Sequence, residues 1–221
     1  MIIIFSYNRP NLLLGLLDEL DRKFTNQKVV VIDDGSTYDP IPFVGHCEYH
    51  RLNHKGKEEF YLNWKYAFSI CKDSSDDFFM FMPDDFKFID SQRVKKIYQH
   101  LKDDLYVMNL LNDNRPPCWT PIKHTKTTIG DEAVTRVSFC DCGYFTNRKT
   151  LESIDFKQGY ISIERFQIQD ISSGVGEYQS RTFWKKNIPM YVCEKSLVYH
   201  GTHKSEMHTE LRKRQPLTNN E

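Results

Sequence analysis

Apolar runs and apolar stripes alternate along the first half of the chain. Ile2-Ile3-Ile4-Phe5 is a short run without polar interruption, and Lys28 to Ile32 is a β-branched run. Both have strand length and strand composition. Between them, Asn11 to Lys23 repeats apolar residues at helical spacing, with Pro10 suited to the start and Asn8 or Asn11 as cap. Tyr49 to Leu52 predicts a third strand. Lys57 to Lys72 carries Phe60, Tyr61, Trp64 and Phe68 at helical spacing and predicts a second helix. Phe78 to Met82 is apolar throughout, the pattern of a strand covered on both faces. Strand, helix, strand, strand, helix, strand is the order of an α/β fold with a mostly parallel sheet flanked by helices.

The second half is mixed. Ser91 to Lys102 predicts a helix, Tyr106 to Leu111 a strand, and Asn112 to His124 a Pro-interrupted loop. Arg136 to Phe139 reads as a strand and Phe145 to Ile154 as a helix. Ser172-Ser-Gly174-Val-Gly176 opens a further helix through Lys186, and Met190 to Val192 forms a late strand. A Gly-rich turn opening a helix either presents backbone N–H groups to an anion or simply connects. The tail from His200 is polar and basic.

Composition narrows the classes. The 221 residues are 39% hydrophobic and 14% aromatic, enough for a packed core in one domain. Lys+Arg and Asp+Glu are both 30, so no global field draws the chain to nucleic acid or to an anionic membrane. No apolar stretch reaches bilayer length, and Met1 leads into a strand rather than a basic leader, so a cytoplasmic protein is expected. Cys47, Cys71, Cys118, Cys140, Cys142 and Cys193 contain no Cys-x-x-Cys pair, which points to reduced thiols rather than zinc or disulfides.

The candidate chemistry lies after the strands. In open α/β sheets ligands bind beyond the carboxyl ends of the strands. There the chain has Tyr7 to Arg9, Asp33 to Ser36, and Pro83-Asp84-Asp85. Together these offer a ring, a guanidinium and two carboxylate pairs. A nucleoside diphosphate uses that equipment: carboxylates for base and ribose, Arg for phosphate, and a carboxylate-held divalent cation between the phosphates. Taken singly, each segment reads equally as a turn.

Ser6-Tyr7-Asn8-Arg9-Pro10 after the first strand, Val29-Val-Val-Ile-Asp33-Asp34-Gly-Ser36, the late Asp84-Asp85, and Ser196-Leu-Val-Tyr-His200-Gly201 resemble the GT-A fold glycosyltransferases. The large inverting "family two" group is the nearest likeness, with bacterial and phage-encoded members. The resemblance implies a Rossmann-like GT-A domain over 1–221. Residues 1–105 would form the nucleotide-sugar half, 106–200 the acceptor half, and 201–221 a polar tail. It implies a UDP-sugar donor and Mn2+ or Mg2+ on Asp85, with Asp84 near the ribose or sugar. Asp33 or Asp34 would serve uracil and ribose, and Tyr7 and Arg9 the nucleotide pocket. His200 would complete the metal shell or touch the diphosphate. The chain departs from the family at Pro83, where many relatives have an acid, and at Gly174-Val-Gly-Glu177, where relatives often have Glu-Asp.

The remaining roles are read from the residues. Sugar transfer needs a base for the acceptor hydroxyl. Asp141, which leaves a strand and is followed by Gly143, ranks ahead of Asp170 and Glu177. Lys55 on the Gly56 loop, or Lys57, offers a cation to the diphosphate, as do His203 and Lys204; His208 reads as surface. Arg212-Lys213-Arg214 is either a solvated run or a contact for an anionic acceptor. The expected activity is therefore metal-dependent glycosyl transfer to a hydroxyl of a saccharide, ahead of a hydroxymethylated DNA base. A sugar nucleotidyltransferase is the alternative, against which the first loop lacks a Gly-rich signature. A non-catalytic nucleotide-sugar-binding module is the third reading.

Overall fold

The computed structural model describes residues 1–40, 45, 47–53, 60–112, 124–140, 143–154 and 174–201. Its centre is a nine-stranded sheet. The strands β1 (Ile2–Ser6), β2 (Val29–Asp33), β3 (Glu48–Arg51) and β4 (Phe78–Pro83) are mutually parallel in the order β3-β2-β1-β4. Helices α1 (Pro10–Lys23) and α2 (Phe60–Asp73) make the crossovers, as the apolar pattern of the first half requires.

Successive residues of the buried strands serve opposite faces. Ile2, Ile4, Met80 and Met82 pack with Leu13, Leu16, Leu17 and Leu20 of α1 and with Val94 and Ile97 of α3 (Ser91–Leu101). Ile3, Phe5, Phe79 and Phe81 pack with Trp64, Ala67 and Phe68 of α2 and with Phe183 of α5 (Gly174–Lys185). This three-layer burial explains why β1 and β4 are apolar at every position. Each such side chain contributes about 1.5–3 kcal/mol on leaving water. Trp64 organises the second face, with ring centroids 4.5 Å from Phe5, 5.2 Å from Phe81 and 5.8 Å from Tyr144.

The second half departs from the pattern read in its sequence. Phe145 to Ile154 is not one helix. Tyr144–Asn147 is a strand, β9, inserted antiparallel between β4 and β6 (Val107–Asn109), and only Arg148–Ser153 is helical, as α4. Asn147 ends the strand and caps the helix, its Oδ1 accepting from Thr150 N at 2.9 Å. The strand expected at Arg136 to Phe139 starts earlier: Thr125–Ile129 (β7) and Glu132–Val137 (β8) form a hairpin about Gly130-Asp131. That hairpin extends the sheet beyond β10 (Met190–Cys193). Phe86–Phe88 (β5) and Val198–His200 (β11) form a small antiparallel sheet of their own. Neither Asn8 nor Asn11 caps α1. Its N-cap is Arg9, with no side-chain cap, and the Asn8 amide oxygen instead accepts from Thr37 N.

Candidate functional site

The parallel register of β1, β2 and β4 brings their following loops to one edge. Asp84 N donates to Phe5 O at 3.2 Å, Asp34 N to Ser6 O at 2.9 Å, and Leu52 N to Asp33 O at 2.8 Å. Asn8 has a positive φ of 53°, which turns the β1–α1 connection toward the second loop. There its N–H donates to Ser36 Oγ at 2.7 Å. The three loops expected to meet do meet.

Asp84 and Asp85 lie at the centre of this edge, 1% and 4% exposed. Asp84 Oδ2 accepts from Ser6 Oγ at 2.7 Å. The Arg9 guanidinium spans the pair, one nitrogen against Asp84 Oδ1 and the other donating to Asp85 Oδ2 at 2.7 Å. Burial pushes the Asp84 carboxyl up to about 7, against the opposing pull of Arg9 and Ser6. The contact at Asp84 Oδ1 is one of charge without hydrogen-bond alignment. Asp85 Oδ1 is buried with no hydrogen-bond partner among the described residues.

The small sheet delivers the late histidine. His200 pairs with Phe86 across β5 and β11, and its ring meets the Phe86 ring edge-on at 5.5 Å. Its Nε2 is 3.6 Å from Asp85 Oδ2, and Gly201 N donates to Asp85 O at 3.0 Å. A buried carboxylate oxygen without a donor is costly, and a hard divalent cation satisfies it. The unpartnered Asp85 Oδ1, with His200 beside the other oxygen of that carboxylate, is suited to a hard divalent cation such as Mn2+ or Mg2+. Among the described residues no group of three or more His, Cys, Asp or Glu is arranged to hold a metal ion by itself. An ion held at Asp85 would need water or phosphate for most of its shell, the ordinary mode for Mg2+.

The second loop is more committed. Asp33 is fully buried; Oδ1 accepts from Ser36 N at 2.9 Å, and Oδ2 accepts from the Tyr49 hydroxyl and from Arg51 Nε at 3.0 Å. Burial and the neighbouring Asp33 carboxylate raise the Tyr49 hydroxyl above its ordinary value, so it stays a donor. Arg51 lies over the rings of Tyr38 and Tyr49 at 5.5 and 5.8 Å. Tyr38, Tyr49 and Arg51 were not singled out from the sequence. The signal available was Tyr49 and Arg51 at i, i+2, on one face of a strand that ends at the site. Asp34 is buried beside Asp33, and Tyr7 is half-buried on the Arg9 loop.

The acceptor side is described in part. Asp141, Asp170, Lys55, Gly56, Lys57, His203, Lys204 and His208 lie outside the described residues, as does the side chain of Glu177 in α5. The segments flanking the first and last of the base candidates are tied together. Cys140 N donates to Ser180 Oγ at 2.8 Å, and the Ser180 hydroxyl donates to Gly176 O at 2.6 Å. Gly143, two residues after Asp141, accepts from Leu110 N at 3.0 Å and sits against Phe86.

No helix among the described residues is long and apolar enough to cross a membrane. No family model matches the chain, and no curated protein does. Solved structures do. S. aureus TarS superposes with a TM-score of 0.57 at 16% identity, over 90% of this chain and 36% of that one. The galactosyltransferase LgtC, in complex with donor and acceptor sugar analogs, gives 0.50 at 12% identity over 86% and 71%. CMP:2-keto-3-deoxy-manno-octonic acid synthetase complexed with CTP gives 0.51 at 14% identity over 91% of both chains. The chain thus spans about a third of the length of the TarS chain it matches. At these identities the likeness is one of fold, and the fold is the GT-A-like α/β fold of glycosyltransferases.

Proposed function

We propose that this protein is a metal-dependent glycosyltransferase that moves a sugar from a nucleotide-sugar, most simply a UDP-sugar, to a hydroxyl of a saccharide. The observation that carries the proposal is Asp85, whose buried Oδ1 has no hydrogen-bond partner among the described residues and whose Oδ2 faces Arg9 and His200. A divalent ion held by Asp85 and His200, with Asp84 beside the ribose or sugar, would neutralise the diphosphate as it leaves. Arg9 supplies a fixed-charge fork suited to phosphate oxygens. Asp33 or Asp34 receives the base and ribose, with Tyr49 and Arg51 holding Asp33 in place. The base that takes the acceptor proton comes from Asp141 or Glu177, whose segments Ser180 joins, with Asp170 as the third candidate. A saccharide acceptor ranks ahead of a hydroxymethylated DNA base because the formal net charge is zero.

The test is a screen of nucleotide sugars with Mn2+, read as UDP release and sugar transfer. Asp85→Asn should abolish metal-dependent UDP binding while the melting transition stays cooperative. Unchanged UDP affinity and metal response in that variant would sink the assignment. The likeness to the CMP-sugar synthetase over 91% of both chains favours a second reading, a sugar nucleotidyltransferase. Release of pyrophosphate from a nucleoside triphosphate and a sugar or sugar phosphate, with no turnover of nucleotide sugars, would select it.

A further inference from the structure

Arg9 does more than line a phosphate pocket. One guanidinium nitrogen lies against Asp84 Oδ1 and another donates to Asp85 Oδ2 at 2.7 Å, so the planar fork bridges the two carboxylates. The carboxylates are almost wholly buried, 0% and 2% exposed by side chain, whereas Arg9 is 18% exposed and reaches them from the solvent side. Two adjacent buried acids are stabilised by a nearby cation or by a retained proton, and here the chain places a guanidinium across them. We propose that Arg9 is an exchangeable counter-ion: it holds the Asp84–Asp85 pair until a divalent cation displaces it, and the freed guanidinium then takes the diphosphate of the donor. This rests on the metal-dependent reading above and goes beyond it, because it assigns the arginine and the metal to one place in succession.

Three features support exchange over a permanent ion pair. The backbone of the Arg9 loop is anchored independently of the side chain, by Asn8 N to Ser36 Oγ and Thr37 N to Asn8 Oδ1, so the guanidinium can leave without unfolding the loop. The Asp84 carboxylate keeps a second partner in Ser6, which orients it whichever cation is present. Asp85 Oδ1 lies on the unpaired side of its carboxylate, while Oδ2 faces both Arg9 and His200. A small ion reaching Oδ1 and Oδ2 therefore meets the guanidinium directly, and two cations at such separation repel.

The experiment compares wild type with Arg9→Gln and Arg9→Lys as full chains. Mn2+ affinity is read by the electron paramagnetic resonance signal of free Mn2+. UDP affinity at saturating Mn2+ is read by calorimetry, and folding by circular dichroism. Removing the competing charge should tighten Mn2+ binding of Arg9→Gln by about tenfold and weaken UDP binding by about tenfold. Arg9→Lys keeps the charge but not the fork, and should move both affinities in the same directions by a smaller factor. A purely structural arginine would lower both affinities together. Unchanged or weaker Mn2+ binding in both variants overturns the exchange, and so does undiminished UDP binding. If wild type binds Mn2+ and the variants bind it no more tightly, only the exchange falls. If no form binds Mn2+, the metal-dependent reading falls with it.

Discussion

Gly143 presses its bare Cα against Phe86 so closely that a Cβ there would lie 2.7 Å from Phe86 Cε2 and 3.2 Å from the Phe81 carbonyl oxygen. Phe86 follows Asp85 in the chain and supports the His200 ring edge-on, so the contact reaches the acid pair through one side chain. Gly143→Ala should force the Phe86 ring aside. Overpacking of this kind costs about 1–3 kcal/mol. Beyond that loss of stability, UDP affinity in Mn2+ should fall severalfold, because Asp85 and His200 lose their common support. Phe86→Leu in the Gly143→Ala background provides room for the methyl group and should restore part of the melting temperature. A Gly143→Ala protein with unchanged stability would mean that the ring yields without cost.

Asn147 is a second point where one side chain joins several elements. Its amide nitrogen donates to Lys102 O at 2.9 Å and Asp104 O at 2.7 Å, while its oxygen caps α4 on Thr150 N. Asn147→Ala removes the cap and two part-buried hydrogen bonds to the Lys102 and Asp104 carbonyls, an expected cost of about 2 kcal/mol in urea denaturation. Asn147→Ser keeps a cap oxygen and should recover about 1 kcal/mol of that. Equal losses in both variants would assign the whole effect to the carbonyl contacts.

These two residues also mark where the sequence was legible and where it was not. Ile2 to Phe5 and Phe78 to Met82 announce β1 and β4 because a strand covered on both faces is apolar at every position. The loops after such strands follow from the topology, which is why the sequence alone brings Arg9, Asp33 and Asp84-Asp85 to one edge. Tyr144–Asn147 has no such signature. Leu151 and Ile154 fall three apart, a helical spacing that extends no further back than α4, and what makes the first residues a strand is the slot between β4 and β6, a tertiary effect. The hairpin about Gly130 was different. Gly130 has φ 56°, a two-residue Gly-Asp turn between alternating residues, and the signal was present. It was hidden because β7 is exposed at all but its last position and carries no apolar face. The Arg9 bridge across Asp84 and Asp85 follows from side-chain geometry that no spacing encodes.

The last prediction concerns the same hairpin and pH. Arg93 of α3 makes a two-pronged pair with Glu132 at the start of β8, Nε to Oε1 at 2.8 Å and one terminal nitrogen to Oε2 at 2.7 Å. That terminal nitrogen also donates to Lys195 O at 3.1 Å, in the segment leading to β11 and His200. The hydrogen bonds from Arg93 hold the Glu132 carboxyl below its ordinary value of 4.5. A carboxyl depressed on folding stabilises the native state above its unfolded value and loses that contribution as pH falls through the folded one. The pair should therefore contribute about 1 kcal/mol at neutral pH, a modest figure because both groups are partly exposed. Glu132→Gln should cost that amount in denaturant titrations near neutrality. The difference from wild type should shrink as pH drops below about 4.5 and vanish once Glu132 is protonated in the folded protein. A cost that persists undiminished in acid would show that the pair acts through packing of its side chains rather than through charge.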